Sequence, residues 1–115
     1  MDANQIPGMS ELTAVADALS NARYAYDAAS NHGYPVREAR AVSAAEEAYK
    51  SVVVLYPVAA AYRKATSWER ASNYRKSAAG RRAAKRILDG EDHTLVLSEM
   101  ETEWSNAANQ AVANA

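Results

Sequence analysis

Cysteine and phenylalanine are both absent from this 115-residue sequence. Without cysteine the chain can form no disulfide, no thiolate zinc site and no cysteine nucleophile, and the composition fits a reducing compartment. Alanine supplies 27 of the hydrophobic residues. Since burial contributes only about 25 cal/mol per Å² of apolar surface, an alanine-rich interior gives little stability per residue. Stability then depends on the high helix propensity of alanine and on association.

Long apolar segments are also absent. The longest apolar run, 52–62, is interrupted by Pro57 and is too short to span a bilayer. The first ten residues have neither the basic region nor the apolar region of a signal peptide. We therefore predict a soluble, intracellular and cytoplasmic protein with no membrane partner.

Patterns that support catalysis or metal binding are scarce. The sequence has two histidines, both near predicted turns, and no recognisable pairing of a nucleophile with a base. The one cluster of oxygen and nitrogen donors comprises Asp89, Glu91, Asp92 and His93. This cluster lacks the alternating spacing and distal glutamate of a calcium loop, and a helix end followed by a cap accounts for it. We predict no enzyme activity, no cofactor and no metal site.

Charge is distributed very unevenly along the chain, and this is its most informative feature. Residues 63–86 hold nine of the thirteen Lys and Arg residues and a single acid, Glu69, so the segment carries +8 in a protein of net charge −1. Residues 1–62 carry −3, and residues 87–115 carry −6 with no Lys or Arg. Such an asymmetry predicts a partner for the basic segment.

Helical periodicity predicts an all-α fold, a four-helix bundle-like domain with one long basic third helix. The predicted helices lie near 10–31, 35–56, 58–88 and 94–112. Residues 1–9 are expected to be a flexible lead, residues 10–112 a single helical domain, and residues 113–115 a frayed end.

Local signals set the ends of these helices. Ser10 suits the N-cap of the first helix, and Gly33 suits the left-handed position after its end. Pro57 ends or kinks the second helix, because proline lacks an N–H and disfavours helical geometry at the preceding residue. Thr94 or Asp92 caps the fourth helix.

Aromatic residues divide into core candidates and contact candidates. Tyr26, Tyr49 and Tyr56 lie on apolar helix faces, where we expect them in the core. Tyr24 and Tyr34 lie off these faces and are candidates for contact with another molecule. We expect the two tryptophans, Trp68 and Trp104, to hold the third and fourth helices together.

The predicted third helix is amphipathic in an unusual way. Its packing face is made mainly of small residues: Tyr62, Ala65, Trp68, Ser72, Ala79, Gly80, Ala83 and Ile87. Its other face carries the candidate partner-binding or phosphate-binding residues: Arg63, Lys64, Arg70, Tyr74, Arg75, Arg81, Arg82, Lys85 and Arg86. Only Lys76 and Glu69 depart from this separation. Arginine predominates on the basic face, and its planar fork suits phosphate or carboxylate.

Three interpretations of the basic face follow from these residues. It can be solvated or neutralised by the acidic fourth helix, it can contact nucleic acid, or it can bind an acidic protein surface or a small phosphate ligand. A helix–turn–helix with Gly80 as its turn is disfavoured, because Gly80 lies within the apolar stripe. The leading hypothesis is a small non-enzymatic interaction or regulatory protein that acts through self-association and this face. Nucleic-acid binding through the phosphate backbone is the alternative.

The length of the predicted third helix bears on oligomeric state. A continuous helix over 58–88 is about 46 Å long at 1.5 Å per residue, whereas a compact domain of this size has a radius of gyration of about 13 Å. Such a helix extends beyond its own bundle. We therefore predict a homo-oligomer, with a dimer as the first expectation.

Overall fold

The computed structural model describes residues 1–114, and the regular structure in that range is entirely helical, which confirms the all-α prediction. A short 3₁₀ helix precedes five α-helices. The elements are Ala3–Gln5, α1 Met9–Ser30, α2 Val36–Leu55, α3 Pro57–Glu69, α4 Tyr74–Leu88 and α5 His93–Ala113. A four-helix bundle-like arrangement is not confirmed.

The chain divides into two compact units. The first is Pro7–Pro57, which we call the helical hairpin, and the second joins Met1–Ile6 to the chain from Val58 onward, which we call the three-helix unit. The single domain expected over 10–112 remains a prediction. So does the flexible lead over 1–9, where the structure has the 3₁₀ helix and a buried Ile6.

Within the hairpin, α1 packs against α2, and a glycine caps the start of α1. The helix begins at Met9 rather than after Ser10, because Gly8 is its N-cap in a left-handed conformation (φ 81°). A Cβ on Gly8 would lie 2.0 Å from Cγ of Tyr56, so the tyrosine ring occupies the space that any side chain there would need. Helix α1 ends at Ser30 with Asn31 as its C-cap, so Gly33, with φ 121°, lies in the loop before α2 and not in the position directly after the cap.

Few residues are fully buried in the hairpin. Helix α1 buries Met9, Leu12 and Leu19, whereas α2 has no fully buried residue. The three tyrosines expected in the core, Tyr26, Tyr49 and Tyr56, are half-buried. At the end of α2, Val54 and Leu55 are 79% and 69% exposed. The hairpin therefore keeps much of its apolar surface in contact with solvent.

At Pro57 the chain forms two separate helices, α2 and α3, and not one kinked helix. Helix α2 ends at Leu55, and Pro57 is the first residue of α3. This is the helix position that tolerates proline best, because the missing N–H would have no intrahelical partner there.

The predicted third helix over 58–88 is wrong as one element, because the chain forms α3 and α4 with a turn over 70–73. Asn73 is the N-cap of α4, and its side chain accepts a hydrogen bond from the Lys76 N–H at 3.1 Å. The Ser77 hydroxyl donates to the Glu69 carbonyl at 2.6 Å, so α4 also satisfies the end of α3. These polar groups give the backbone partners that compensate for the interrupted helix.

Gly80 of α4 lies directly against the backbone of α3. A Cβ there would lie 2.5 Å from the Ala65 carbonyl oxygen and 2.6 Å from both the Glu69 nitrogen and Cβ of Trp68. These distances leave no room for a side chain. The fold thus explains a glycine in a helix interior, where it costs about 1 kcal/mol relative to alanine.

Alanines dominate the core that joins α3, α4 and α5. Its buried members are Ala61, Ala65, Ala79, Ala83, Ala84, Ile87, Val96 and Met100, with Tyr62, Trp68 and Leu97 packed against them. The predicted packing face is therefore buried at its small residues and Ile87 and half-buried at Tyr62 and Trp68, whereas Ser72 is exposed in the turn.

Helix α5 is anchored at its start and by its tryptophan. The Asp92 side chain accepts hydrogen bonds from the backbone N–H groups of Thr94 at 2.9 Å and Leu95 at 3.3 Å, so Asp92 is the cap. Trp104 meets Trp68 in a T-shaped contact with 6.4 Å between centroids, which confirms the predicted role of this pair. The helix continues to Ala113, and the predicted frayed end includes Ala115, which lies outside the described residues.

Candidate interaction surface on helix α4

The nine candidate residues lie on α3, on α4 and in the turn between them. Helix α3 carries Arg63 and Lys64, and Arg70 lies in the turn. The other six are on α4: Tyr74, Arg75, Arg81, Arg82, Lys85 and Arg86. The structure therefore brings all nine into one unit, on two helices rather than on one.

One flank of α4 is neutralised by the glutamates of α5. Arg82 pairs with Glu103, and Arg86 pairs with Glu99 at 2.5 Å. Because both pairs join residues four apart on each helix, they form an antiparallel ladder between α4 and α5. Glu91 adds a second partner to Arg86 at 2.9 Å, and the hydrogen bonds that Arg86 donates to Glu91 and Glu99 raise its pKa above the ordinary value.

The acidic helix also reaches α3, where Lys64 pairs with Glu101. Exposed ion pairs of this kind each stabilise a fold by less than about 1 kcal/mol. Their main effect is therefore to cancel charge. Lys64, Arg82 and Arg86 are thus largely committed to contacts within the chain.

The opposite flank of α4 has a single, loose ion pair. Nε of Arg81 lies 3.5 Å from Oε1 of Glu69, and the Arg81 side chain is 71% exposed. Water screens such a pair strongly. Arg81 can therefore still present its charge to another molecule.

We use the name α4 crest for the four exposed residues of α4 that α5 does not neutralise, which are Tyr74, Arg75, Arg81 and Lys85. Within residues 1–114, neither Arg75 nor Lys85 makes an ion pair, and both are exposed. Tyr74 is 85% exposed at the N-terminal end of the crest. From Tyr74 to Lys85 the crest is about 17 Å long at 1.5 Å per residue.

Two further candidates lie outside the crest, one on α3 and one in the turn before α4. Arg70 is exposed and Arg63 is half-buried, and neither makes an ion pair within the described part of the chain. The crest and Arg70 thus carry most of the charge on the predicted basic face that the chain itself leaves uncompensated.

A groove of about 300 Å³ lies beside the crest, between α4 and α5. It is lined by Tyr74, Arg75, Ala78, Ala79, Arg82, Glu103, Trp104 and Ala107. Three small alanines and one indole form its apolar part, and the charged side chains surround them.

Sequence reasoning missed the contribution of α5 to this groove. The spacing of Trp104 and Ala107 places them on one face of a helix, but which helix they meet depends on tertiary packing. Lys76, which departs from the predicted basic face, lies over the tryptophan pair, with Nζ 4.9 Å from the Trp68 centroid and 6.0 Å from that of Trp104. It is therefore a partner of the tryptophans and not part of the crest.

Other kinds of site receive no geometric support in the described chain. Residues 1–114 contain no grouping of three or more His, Asp and Glu side chains suited to a metal ion. Over the same range, none of the helices has both the length and the hydropathy of a membrane span. Comparison with family models, curated proteins and solved structures finds no match to this chain, so its function has to be argued from this surface.

Proposed function

We propose that the protein is a non-enzymatic interaction protein that binds an acidic protein partner through the α4 crest. The observation that carries this proposal is the contrast in pairing among the cations of one helix. Arg82 and Arg86 are neutralised by α5, whereas Arg75 and Lys85 make no ion pair among residues 1–114. The crest therefore presents positive charge that the described chain does not neutralise, and this charge can attract an acidic partner.

The chain itself illustrates the kind of partner that fits. Glutamates four residues apart on α5 meet arginines four residues apart on α4, at positions 82 and 86. On the crest, Arg81 and Lys85 have the same four-residue spacing. An acidic helix with carboxylates one turn apart would therefore match the crest as α5 matches the flank.

Nucleic-acid binding is the second candidate, and the turn over 70–73 favours it. Two helices joined by a short turn, with bare cations and an exposed Tyr74 on the second, resemble the arrangement of a helix–turn–helix. Overall charge argues the other way. The three-helix unit has nine Lys and Arg against eight Asp and Glu, and the chain has a pI of about 6.1. A long polyanion would find little long-range attraction to such a molecule.

Self-association is the other part of the proposal. The split of the predicted long helix removes the argument from its length, so the dimer needs different support. That support is the hairpin, where α2 buries no residue and Val54 and Leu55 are exposed. We propose that a second copy of the chain covers this apolar end, because a second copy carries the same patch and a two-fold interface joins like to like.

The decisive experiment compares binding of two polyanions by the full chain at low salt. An alanine-based helical peptide with glutamates four residues apart represents the acidic partner, and a mixed-sequence DNA duplex represents nucleic acid. We expect the peptide to bind and the Arg75→Glu, Arg81→Glu, Lys85→Glu triple variant to bind it about ten-fold more weakly or worse. The matched control is Arg37→Glu with Arg40→Glu, which reverses two exposed cations of α2 that make no ion pair within residues 1–114.

Two outcomes would contradict the proposal. Equal peptide binding by the triple variant and the wild type would remove the crest as the binding surface. DNA binding that is tighter than peptide binding, is lost in the triple variant and falls steeply with salt would establish the second candidate instead.

A further inference from the structure

We infer that the groove between α4 and α5 accepts one bulky apolar side chain of the acidic partner, beside the carboxylates held by the crest. This inference rests on the proposed function and adds to it the second chemical feature of the partner.

The groove exists because its walls are lined by small side chains. Ala78 on α4 and Ala107 on α5 border it, and neither is large enough to close the gap between the helices. Beyond Trp104, α5 continues to Ala113 without a fully buried residue. The chain thus extends a helix past its own core and leaves a recess of about 300 Å³ at that point.

Trp104 gives the recess an apolar wall that is only partly used. The indole meets Trp68 edge to face at 6.4 Å, and the Lys76 ammonium lies 6.0 Å from its centroid. The residue is half-buried, and it also borders the groove. An apolar group in the groove would cover indole surface that now contacts water, which is favourable in proportion to the area removed from solvent.

The size of the recess suits a side chain better than a whole ligand. Drug-sized molecules occupy pockets of about 300–1,000 Å³, and a cavity of about 150 Å³ holds benzene. A recess of about 300 Å³ is at the lower limit of the first class and open on one side. It therefore has room for one leucine or aromatic side chain.

Arg75 and Tyr74 connect the recess to the crest, because both residues belong to each. Arg75 makes no ion pair within the described part of the chain, so it can hold a carboxylate at the edge of the recess. A partner that lies along the crest would therefore bring an apolar side chain over the recess about one turn from its acidic residues. This commits the occupant to a segment of an acidic helix with one bulky apolar residue.

Two alanine-based helical peptides of equal charge provide the test. Each has two glutamates four residues apart, and they differ only at one position a turn further along, which is leucine in one peptide and alanine in the other. Both are titrated into the full chain by calorimetry at low salt. We expect the leucine peptide to bind about ten-fold more tightly, as the burial of one leucine side chain allows.

Filling the recess from the protein side gives an independent readout. Ala107→Leu should abolish the ten-fold preference for the leucine peptide. Ala108→Leu changes the neighbouring exposed position of α5 and should retain the preference. Far-ultraviolet circular dichroism of both variants checks that the helices are intact, as expected for leucine in a helix.

The results separate the failure of this inference from that of the proposed function. Equal affinities of the wild type for the two peptides, or an undiminished preference in Ala107→Leu, would overturn the recess as the apolar site. In that case the crest proposal still holds if both peptides lose affinity for the Arg75→Glu, Arg81→Glu, Lys85→Glu variant. Failure of the wild type to bind either peptide would overturn both.

Discussion

Gly80 of α4 faces the backbone of Ala65 in α3 so closely that a Cβ on residue 80 would lie 2.5 Å from the Ala65 carbonyl oxygen. This relationship exists only because the chain turns back on itself at residues 70–73. In a continuous helix over 58–88, residues 65 and 80 would be about 22 Å apart along the axis at 1.5 Å per residue. One glycine therefore discriminates between the two architectures.

Replacing Gly80 with alanine tests this directly. Alanine gains about 1 kcal/mol of helix propensity, but its methyl group would force α3 and α4 apart, and overpacking of this kind costs about 1–3 kcal/mol. We expect a net loss of stability, measured as a lower midpoint of urea unfolding. A more stable Gly80→Ala protein would indicate that α3 and α4 do not pack at this point.

Asn73 is expected to determine where α4 begins. Asn73→Ala removes the side-chain oxygen that accepts the Lys76 N–H, and loss of an N-cap costs about 0.5–2 kcal/mol. Asn73→Asp keeps an acceptor and should retain most of the stability. Thermal unfolding followed by circular dichroism measures both variants, and equal stability of Asn73→Ala and wild type would contradict the assigned cap.

Arg82 and Glu103 offer a charge-reversal test of the ladder between α4 and α5. Arg82→Glu and Glu103→Arg should each reduce stability, because each places like charges in contact. The double variant should recover part of the loss, with a coupling free energy below about 1 kcal/mol. Urea unfolding at low and at high salt checks the sign, since salt screens exposed pairs. Additive losses in the double variant would mean that the two side chains do not meet.

Self-association is expected to depend on the exposed end of α2. Val54→Glu with Leu55→Glu places two charges on the proposed interface and should convert a dimer to a monomer, measured as mass in solution by light scattering. Leu95→Glu is the matched control, since Leu95 is also exposed but lies on α5. An unchanged mass in the α2 variant, or a wild type that is monomeric at all concentrations, would contradict the proposed dimer.

Several features of the fold could be predicted because they depend on local chemistry. Proline at 57 restricts the backbone wherever it occurs, and Thr94 or Asp92 suits the cap of the last helix. The structure has a helix boundary at Pro57 and at Asp92, whereas Gly33 lies in the loop between α1 and α2.

The break between α3 and α4 could not be predicted from periodicity. A turn of four residues is close to one helical turn of 3.6 residues, so the apolar positions before and after 70–73 keep nearly the same phase. Alanine-rich sequence also favours helix on both sides. The signals that did exist were Asn73, a good N-cap residue, and Gly80, which is unfavourable inside a helix unless another backbone lies against it.

The candidate site could be predicted only as a set of cations. Which of them remain unpaired depends on the packing of α5, and a single helix does not determine that. The acidic helix was expected as a possible partner for the basic face, and it pairs with Lys64, Arg82 and Arg86. The groove next to Trp104 is a property of two helices and has no counterpart in the pattern of either one.

The ladder of Arg82 with Glu103 and Arg86 with Glu99 also favours one register of α5, together with the contact of Trp104 with Trp68. The apolar residues of α5 recur every four positions, at Val96, Met100 and Trp104. A slide of α5 by one turn would therefore still present apolar side chains to a core made mainly of alanine. The same slide would leave one arginine of the ladder opposite no glutamate. The ion pairs therefore add specificity to the register of α5 on an alanine-rich core. High salt should weaken this alignment of α5 before it unfolds the helices.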